Sequence, residues 1–88
     1  MKMIVVILPN PLSEKVSSVL IDAGFGVTEF ASTAGFLLGG TTTLMVGVES
    51  RKLDQALDII RNEIPPTEQE GKIQATIYVI NIKMFERV

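Results

Sequence analysis

The residues best suited to binding chemistry lie in one uncharged, glycine-rich stretch in the middle of the chain. Residues 30–48 carry no formal charge and include four glycines and five serine or threonine residues. Successive glycine N–H groups can form a concave nest for an anion, and the hydroxyls of Thr33, Thr41 and Thr42 would add donors. We therefore interpret residues 34–41 as a loop that contacts a ligand.

Two other interpretations of this loop have to be weighed. Residues 35–42 have the glycine spacing of a nucleotide-binding P-loop, but Thr41 stands where that loop needs lysine, and no helix follows directly. The glycines could also do no more than turn a hairpin. A hairpin needs only one or two glycines, however, and it does not need Phe36, Leu37 and Leu38 at its tip. Contact with a ligand and contact with a partner protein both stay open.

The sequence contains no set of residues typical of catalysis. Cysteine and histidine are absent, so the chain has no thiolate or imidazole to act as nucleophile, base or metal ligand. Glu68 and Glu70 lie in a predicted polar turn without a partner base. Ser13, Ser17 and Ser18 lie on the predicted polar side of a helix, also without a base. We expect no enzymatic activity and no cofactor.

The composition predicts one small domain that associates with copies of itself. A chain of 88 residues can bury only a limited fraction of its surface. Nevertheless, 47% of its residues are hydrophobic, and the mean hydropathy is +0.37. We expect a single domain spanning residues 1–88, with apolar surface shared between subunits.

The charge pattern argues against nucleic acids and membranes as partners. The net charge is -2 and no basic cluster occurs, whereas proteins that bind nucleic-acid backbones concentrate Lys and Arg on one face. The apolar start is too short for a signal peptide and ends at Pro9. The uncharged residues 30–48 are too polar to span a membrane. We expect a cytoplasmic protein that neither binds a nucleic-acid polymer nor inserts into a membrane.

Two helices and four strands are predicted around the glycine-rich loop. Residues 2–8 are apolar after Lys2 and indicate a central strand covered on both faces. Asn10 is a candidate N-cap for a helix over residues 11–23, and Gly24 suits a left-handed C-cap. The apolar stripe of this helix consists of Leu12, Val16, Val19, Leu20 and Ala23.

A hairpin, a second helix and a last strand are predicted after the first helix. Residues 25–32 and 42–48 are predicted strands joined by the glycine-rich loop, so they should pair as an antiparallel hairpin. Ser50 is a candidate cap for a second helix that Pro65 and Pro66 end, and residues 74–82 form the last strand. The stripe of the second helix consists of Leu53, Ala56, Leu57, Ile60 and Ile64.

The order β-α-β-β-α-β predicts an α+β domain of the ferredoxin-like type. Its four-stranded antiparallel sheet carries both helices on one face. Residues 74–82 carry apolar side chains on both faces of the predicted strand, whereas the two helices cover only one face of the sheet. We expect neighbouring subunits to bury the second face of the sheet.

Residues 1–48 resemble the bacterial PII-like cyclic-di-AMP receptor proteins. That family begins with an M-K-(M/L)-I strand and later carries T-x-x-A-T-T-G-G-F-L-x-x-G-N-T-T followed by G-V. The matching residues here are Thr28, Ala31, Thr33, Gly35, Phe36, Leu37, Gly40, Thr42, Thr43, Gly47 and Val48.

The resemblance implies a ferredoxin-like homotrimer that binds a nucleotide in clefts between subunits and regulates a partner protein, without catalysis. The positions that line the cleft in the family correspond to Thr28, Gly35, Phe36, Leu37 and Gly47. The chain departs from the pattern at Gly24, Gly26 and Thr41, where the family has a polar residue, an arginine and an asparagine. Thr41 keeps a hydroxyl for the ligand, and Arg87, near the last strand, could supply a cation from an adjacent subunit.

Two functions of other classes are also compatible with the sequence. A protein interaction module could dock through residues 36–38 without any nucleotide. A small-metabolite sensor with the same order of elements would normally bind at the first strand-to-helix turn, here residues 9–11. That turn lacks the usual glycine, which disfavours the sensor.

Overall fold

The elements of the protein follow the predicted β-α-β-β-α-β order. The structure is a computed structural model that describes residues 1–32, 40–65, 74–84, 86 and 88. One 3₁₀ turn, Ser50–Lys52, precedes the second helix. The strands and helices are β1 (Lys2–Pro9), α1 (Asn10–Asp22), β2 (Gly26–Ser32), β3 (Thr41–Val48), α2 (Leu53–Glu63) and β4 (Thr76–Asn81).

The sheet has the strand order β2-β3-β1-β4. β1 pairs antiparallel with β3 and with β4, and β2 pairs antiparallel with β3. The predicted hairpin and the central position of β1 are therefore confirmed, as is the ferredoxin-like α+β fold class. β2 and β4 are the two edge strands.

The hydrophobic core lies between one face of the sheet, which we call the inner face, and the two helices. Alternate residues of β1 and β3 point to this face because side chains alternate along a strand. Both helices present an apolar stripe to it. The core residues from these elements are Ile4, Val6, Leu8, Val16, Leu20, Leu44, Val46, Val48, Ala56, Leu57 and Ile60.

The opposite face of the sheet, the outer face, is covered by no element of the described chain. The strand registers set its residues in rows across β2, β3, β1 and β4. Within the described residues, β1 is thus covered on one face only, and Ile7 is exposed on the other. The rows are Gly26, Gly47, Met3 and Ile80; then Thr28, Met45, Val5 and Tyr78; then Phe30, Thr43, Ile7 and Thr76.

The start of α1 differs from the prediction. Pro9, not Asn10, is the N-cap residue, and no side chain caps the helix. The Asn10 side chain instead accepts a hydrogen bond from Thr42 in β3, which takes its carbonyl oxygen away from the helix N-terminus. Pro11 is tolerated because the first N–H groups of a helix have no intrahelical acceptor.

The predicted polar side of α1 is also partly wrong. Ser13 and Ser17 are buried, and the Ser13 hydroxyl donates to the Asn10 carbonyl at 2.8 Å. A serine is small enough to face the sheet where its hydroxyl finds such an acceptor. Ala23, assigned to the apolar stripe, is exposed because α1 has ended at Asp22.

The end of α1 is the predicted left-handed glycine cap. Gly24 has φ +94°, and its N–H donates to the Ile21 carbonyl at 2.9 Å. The Phe25 N–H donates to the Leu20 carbonyl at 3.0 Å. These two bonds form a Schellman motif, which turns the chain directly into β2.

α2 begins later than predicted. Ser50 does not cap it, because residues 50–52 form a 3₁₀ turn and Lys52 becomes the N-cap residue. The predicted stop is confirmed: Ile64 has the extended backbone expected of a residue before proline. Among the described residues, neither helix is long and apolar enough to cross a bilayer.

Candidate functional site

An open cavity of about 550 Å³ lies on the outer face where β2, β3 and β1 come together. Two of the residues predicted to bind a ligand, Thr28 and Gly47, line it. The strand alternation that buries the core on one side places both of them on the other. Among the described residues, the lining consists of Met1, Met3, Gly26, Val27, Thr28, Phe30, Met45, Gly47 and Ile82.

The walls of this cavity are apolar except at one point. Met3 and Met45 stand on neighbouring strands, and Phe30 stands on β2. Methionine side chains adapt to irregular ligand surfaces, and an aromatic ring offers a flat face for stacking. Among the described lining residues, Thr28 alone has a polar side chain, and its hydroxyl can both donate and accept.

The cavity floor is bare backbone at the paired residues Gly26 and Gly47. A Cβ atom added to either glycine would meet no atom of the described residues within 4 Å, and neither glycine has a left-handed φ. Neither backbone geometry nor packing therefore requires glycine here. The missing side chains keep the cavity open and let a ligand approach the main chain closely.

Thr41 does not join Thr28 and Gly47 within one chain. It lies four residues before Met45, which pairs with Thr28. At a rise of about 3.3 Å per residue, this places Thr41 roughly 13 Å along the strand from the row of Thr28. It does not line the cavity.

Hydrogen bonds connect the C-terminal end of the glycine-rich loop to the start of α1. The Asn10 N–H donates to the Gly40 carbonyl at 3.3 Å, and the Thr42 hydroxyl donates to Asn10 Oδ1 at 2.5 Å. Thr42 is buried. Its hydroxyl, considered above as a ligand donor, is therefore committed to Asn10.

A second cavity, of about 210 Å³, adjoins the first at the end of the hairpin. Gly24, Gly26 and Gly47 line it together with Glu49, Lys52 and Gln55. Arg51 Nε donates to Glu49 Oε2 at 2.8 Å. This hydrogen bond and the positive charges of Arg51 and Lys52 lower the pKa of Glu49 below its ordinary value.

Several predicted residues lie outside the part of the chain that the structure describes. Residues 33–39, which make up most of the predicted loop, are among them. The individual residues are Thr33, Gly35, Phe36, Leu37, Leu38 and Arg87, together with the carboxylates Glu68 and Glu70. Within the described part, no group of three or more acidic, histidine or cysteine side chains could hold a metal ion.

The sequence did not predict the methionine walls of the cavity or the hydrogen bonds between Asn10 and the end of the glycine-rich loop. Met3 and Met45 could have been found from strand alternation, since both share a sheet face with Thr28. The hydrogen bond between Asn10 and Thr42 joins residues 32 positions apart, so it cannot be predicted from a local sequence pattern.

The chain is similar to a known protein family and to a solved protein structure. A family model described as "Cyclic-di-AMP receptor" matches residues 1–71. A crystal structure of a functionally unknown protein from Pediococcus pentosaceus ATCC 25745 is similar over 99% of this chain and 96% of that chain, with 27% sequence identity and a TM-score of 0.76.

Proposed function

Because this chain belongs to the cyclic-di-AMP receptor family, we propose that it is a PII-like signalling protein that binds cyclic-di-AMP or another adenine nucleotide. It has no catalytic role, and it regulates a partner protein through its loops. The ligand site on this proposal consists of Thr28, Gly35, Phe36, Leu37, Thr41, Gly47 and Arg87.

The observation that carries the proposal is the cavity that joins Thr28 to the bare glycine pair. Its volume of about 550 Å³ falls in the range of about 300 to 1,000 Å³ usual for small-ligand sites. An adenine ring suits such a place, because it needs flat apolar contact and a few hydrogen bonds at its edge. Met45 and Phe30 offer the apolar contact, and Thr28 offers the hydrogen bond.

The proposed site is assembled by three subunits that bury their outer faces against one another. Within one chain, Thr41 lies roughly 13 Å along β3 from the row of Thr28, too far for both to touch the same small group. A site that contains both is therefore completed by an extended ligand or by a neighbouring subunit. The uncovered apolar outer face gives neighbouring subunits a reason to associate.

The proposal is tested by titrating the protein with cyclic-di-AMP, ATP, ADP and AMP in a calorimeter and repeating the titration with Thr28→Ala. Losing one neutral hydrogen bond of about 0.5 to 1.5 kcal/mol should weaken binding of the preferred nucleotide about two- to tenfold. Thr43→Ala is the matched control, since Thr43 shares the outer face but does not line the cavity.

Three results would decide against this function. Absence of heat with all four nucleotides removes the adenine-nucleotide class. Equal weakening by Thr28→Ala and Thr43→Ala moves the site away from the cavity. Loss of partner capture on Phe36→Ala, with no effect of any nucleotide, favours the interaction module instead.

A further inference from the structure

We propose that Lys52 holds the phosphate groups of the nucleotide, an inference that rests on the proposed function and adds a residue to its site. The two cavities share Met1, Gly26 and Gly47 as lining residues. They are therefore two parts of one groove, which passes over the bare glycine pair. The larger part has apolar walls, whereas the lining of the smaller part includes the charged residues Glu49 and Lys52.

The division of the groove matches the two halves of a nucleotide. The larger part offers Phe30, Met45 and one hydroxyl, which suit a base. The smaller part offers the ammonium group of Lys52 and the amide of Gln55, which suit phosphate oxygens. Between them Gly26 and Gly47 present no side chain, so a ligand can extend from one part into the other.

Among the described residues, Lys52 is the one with a positively charged side chain that lines the smaller part of the groove. The two charged side chains that line the smaller part are Glu49 and Lys52. Glu49 is already bound by Arg51, with 2.8 Å between Nε and Oε2. Lys52 is exposed and forms no ion pair with any residue in the described ranges.

The charges around this part of the groove favour an anion. Glu49 is ionised at neutral pH, as an ordinary glutamate is, and Arg51 and Lys52 lower its pKa further. The pair of Glu49 and Arg51 has no net charge, so Lys52 gives this group of three side chains a net positive charge. A phosphodiester carries one negative charge, so its binding would restore neutrality at this end of the groove.

The test compares cyclic-di-AMP affinity for the intact protein, Lys52→Gln, Lys52→Arg and Lys15→Gln at low and high salt. Lys52→Gln should weaken binding about five- to tenfold at low salt and reduce the dependence of affinity on salt concentration, because a screened charge contact is lost. Lys52→Arg should stay within about twofold of the intact protein.

Lys15→Gln is the matched control. Lys15 pairs with Glu63 at 3.6 Å, at the far end of α2, roughly 16 Å from its start at 1.5 Å per residue. Its loss changes the net charge by the same amount and should leave affinity unchanged. Thermal unfolding of each variant confirms that the fold is kept.

Two results overturn the inference while leaving the proposed function intact. One is unchanged affinity and salt dependence in Lys52→Gln. The other is equal weakening by Lys52→Gln and Lys15→Gln, which would reflect net charge alone. If the intact protein binds ATP, ADP or AMP more tightly than cyclic-di-AMP, the comparison is made with that nucleotide. Absence of binding by all four would overturn the inference and its premise together.

Discussion

At the scale of single residues, the described glycines serve different purposes. Gly24 and Gly40 have positive φ angles of +94° and +81°, a conformation that side chains with a Cβ rarely adopt. Gly26 and Gly47 have ordinary strand backbones with open space around them. The first two are needed for the fold, and the second two are suited to the groove.

This division gives a prediction for alanine substitutions. Gly24→Ala should lower the free energy of unfolding by about 1 kcal/mol, from the left-handed backbone alone. Gly40→Ala should cost about 2 kcal/mol or more, because its Cβ would also lie 2.6 Å from Asn10 Nδ2. Gly47→Ala should leave stability within about 0.5 kcal/mol.

Urea unfolding of the three variants measures these differences. Gly47→Ala is the control, since it adds the same methyl group without strain or contact. Equal costs at Gly24 and Gly40 would show that the contact with Asn10 does not contribute.

Prediction from sequence was most reliable where the cause is local. Gly24 could be assigned as a helix cap because the apolar stripe stops just before it. The role of Asn10 was predicted wrongly, because an asparagine before Pro11 suits an N-cap equally well whether or not Thr42 approaches it. Tertiary contacts of that kind cannot be recognised from the sequence around one residue.

At the scale of elements, α2 packs against the core through one narrow stripe of apolar residues. Ala56, Leu57 and Ile60 are buried and Leu53 and Ile64 are partly buried, as the helical spacing predicted. The start of α2 was misplaced because of the 3₁₀ turn: Ser50 has the side chain of a cap but lies two residues before the N-cap residue, Lys52. Periodicity thus locates the buried face of a helix better than its first residue.

The adjacent residues Ile59 and Ile60 test this stripe. Ile60 is fully buried, whereas Ile59 only packs partly against the core. Ile60→Ala should lower the free energy of unfolding by about 2 to 5 kcal/mol, from lost burial and the cavity left behind.

Ile59→Ala is the matched control and should cost about half as much or less in the same urea unfolding experiment. A larger cost at Ile59 than at Ile60 would mean that α2 is rotated relative to the face described here.

At the scale of the whole molecule, the two sides of the sheet differ sharply. The inner face is covered by two helices, whereas the outer face exposes Ile7, Phe30, Tyr78 and Ile80. The sequence predicted this asymmetry from the apolar character of both sides of the last strand. It could not predict the groove at the hairpin end, because that depends on the register that pairs Gly26 with Gly47.

The proposed trimer predicts that charge on the outer face disrupts assembly. Tyr78→Asp should shift the protein from three subunits toward monomers in sedimentation equilibrium, because it buries an unpaired carboxylate at the interface. Ile21→Asp is the control. Ile21, on α1, is exposed to a similar extent, 55% against 53% for Tyr78.

If the intact protein is monomeric in dilute buffer, the proposed trimer is wrong. Dissociation by Ile21→Asp but not by Tyr78→Asp would place the contact between subunits on the helical side.

The alternation along β3 also limits how its length can change. Deleting one residue from its middle would turn the following side chains over, so that Val46 and Val48 would face water and Gly47 would face the helices. Deleting two would shorten the strand but restore each later residue to its own side. Viable insertions and deletions in this strand should therefore come in even numbers.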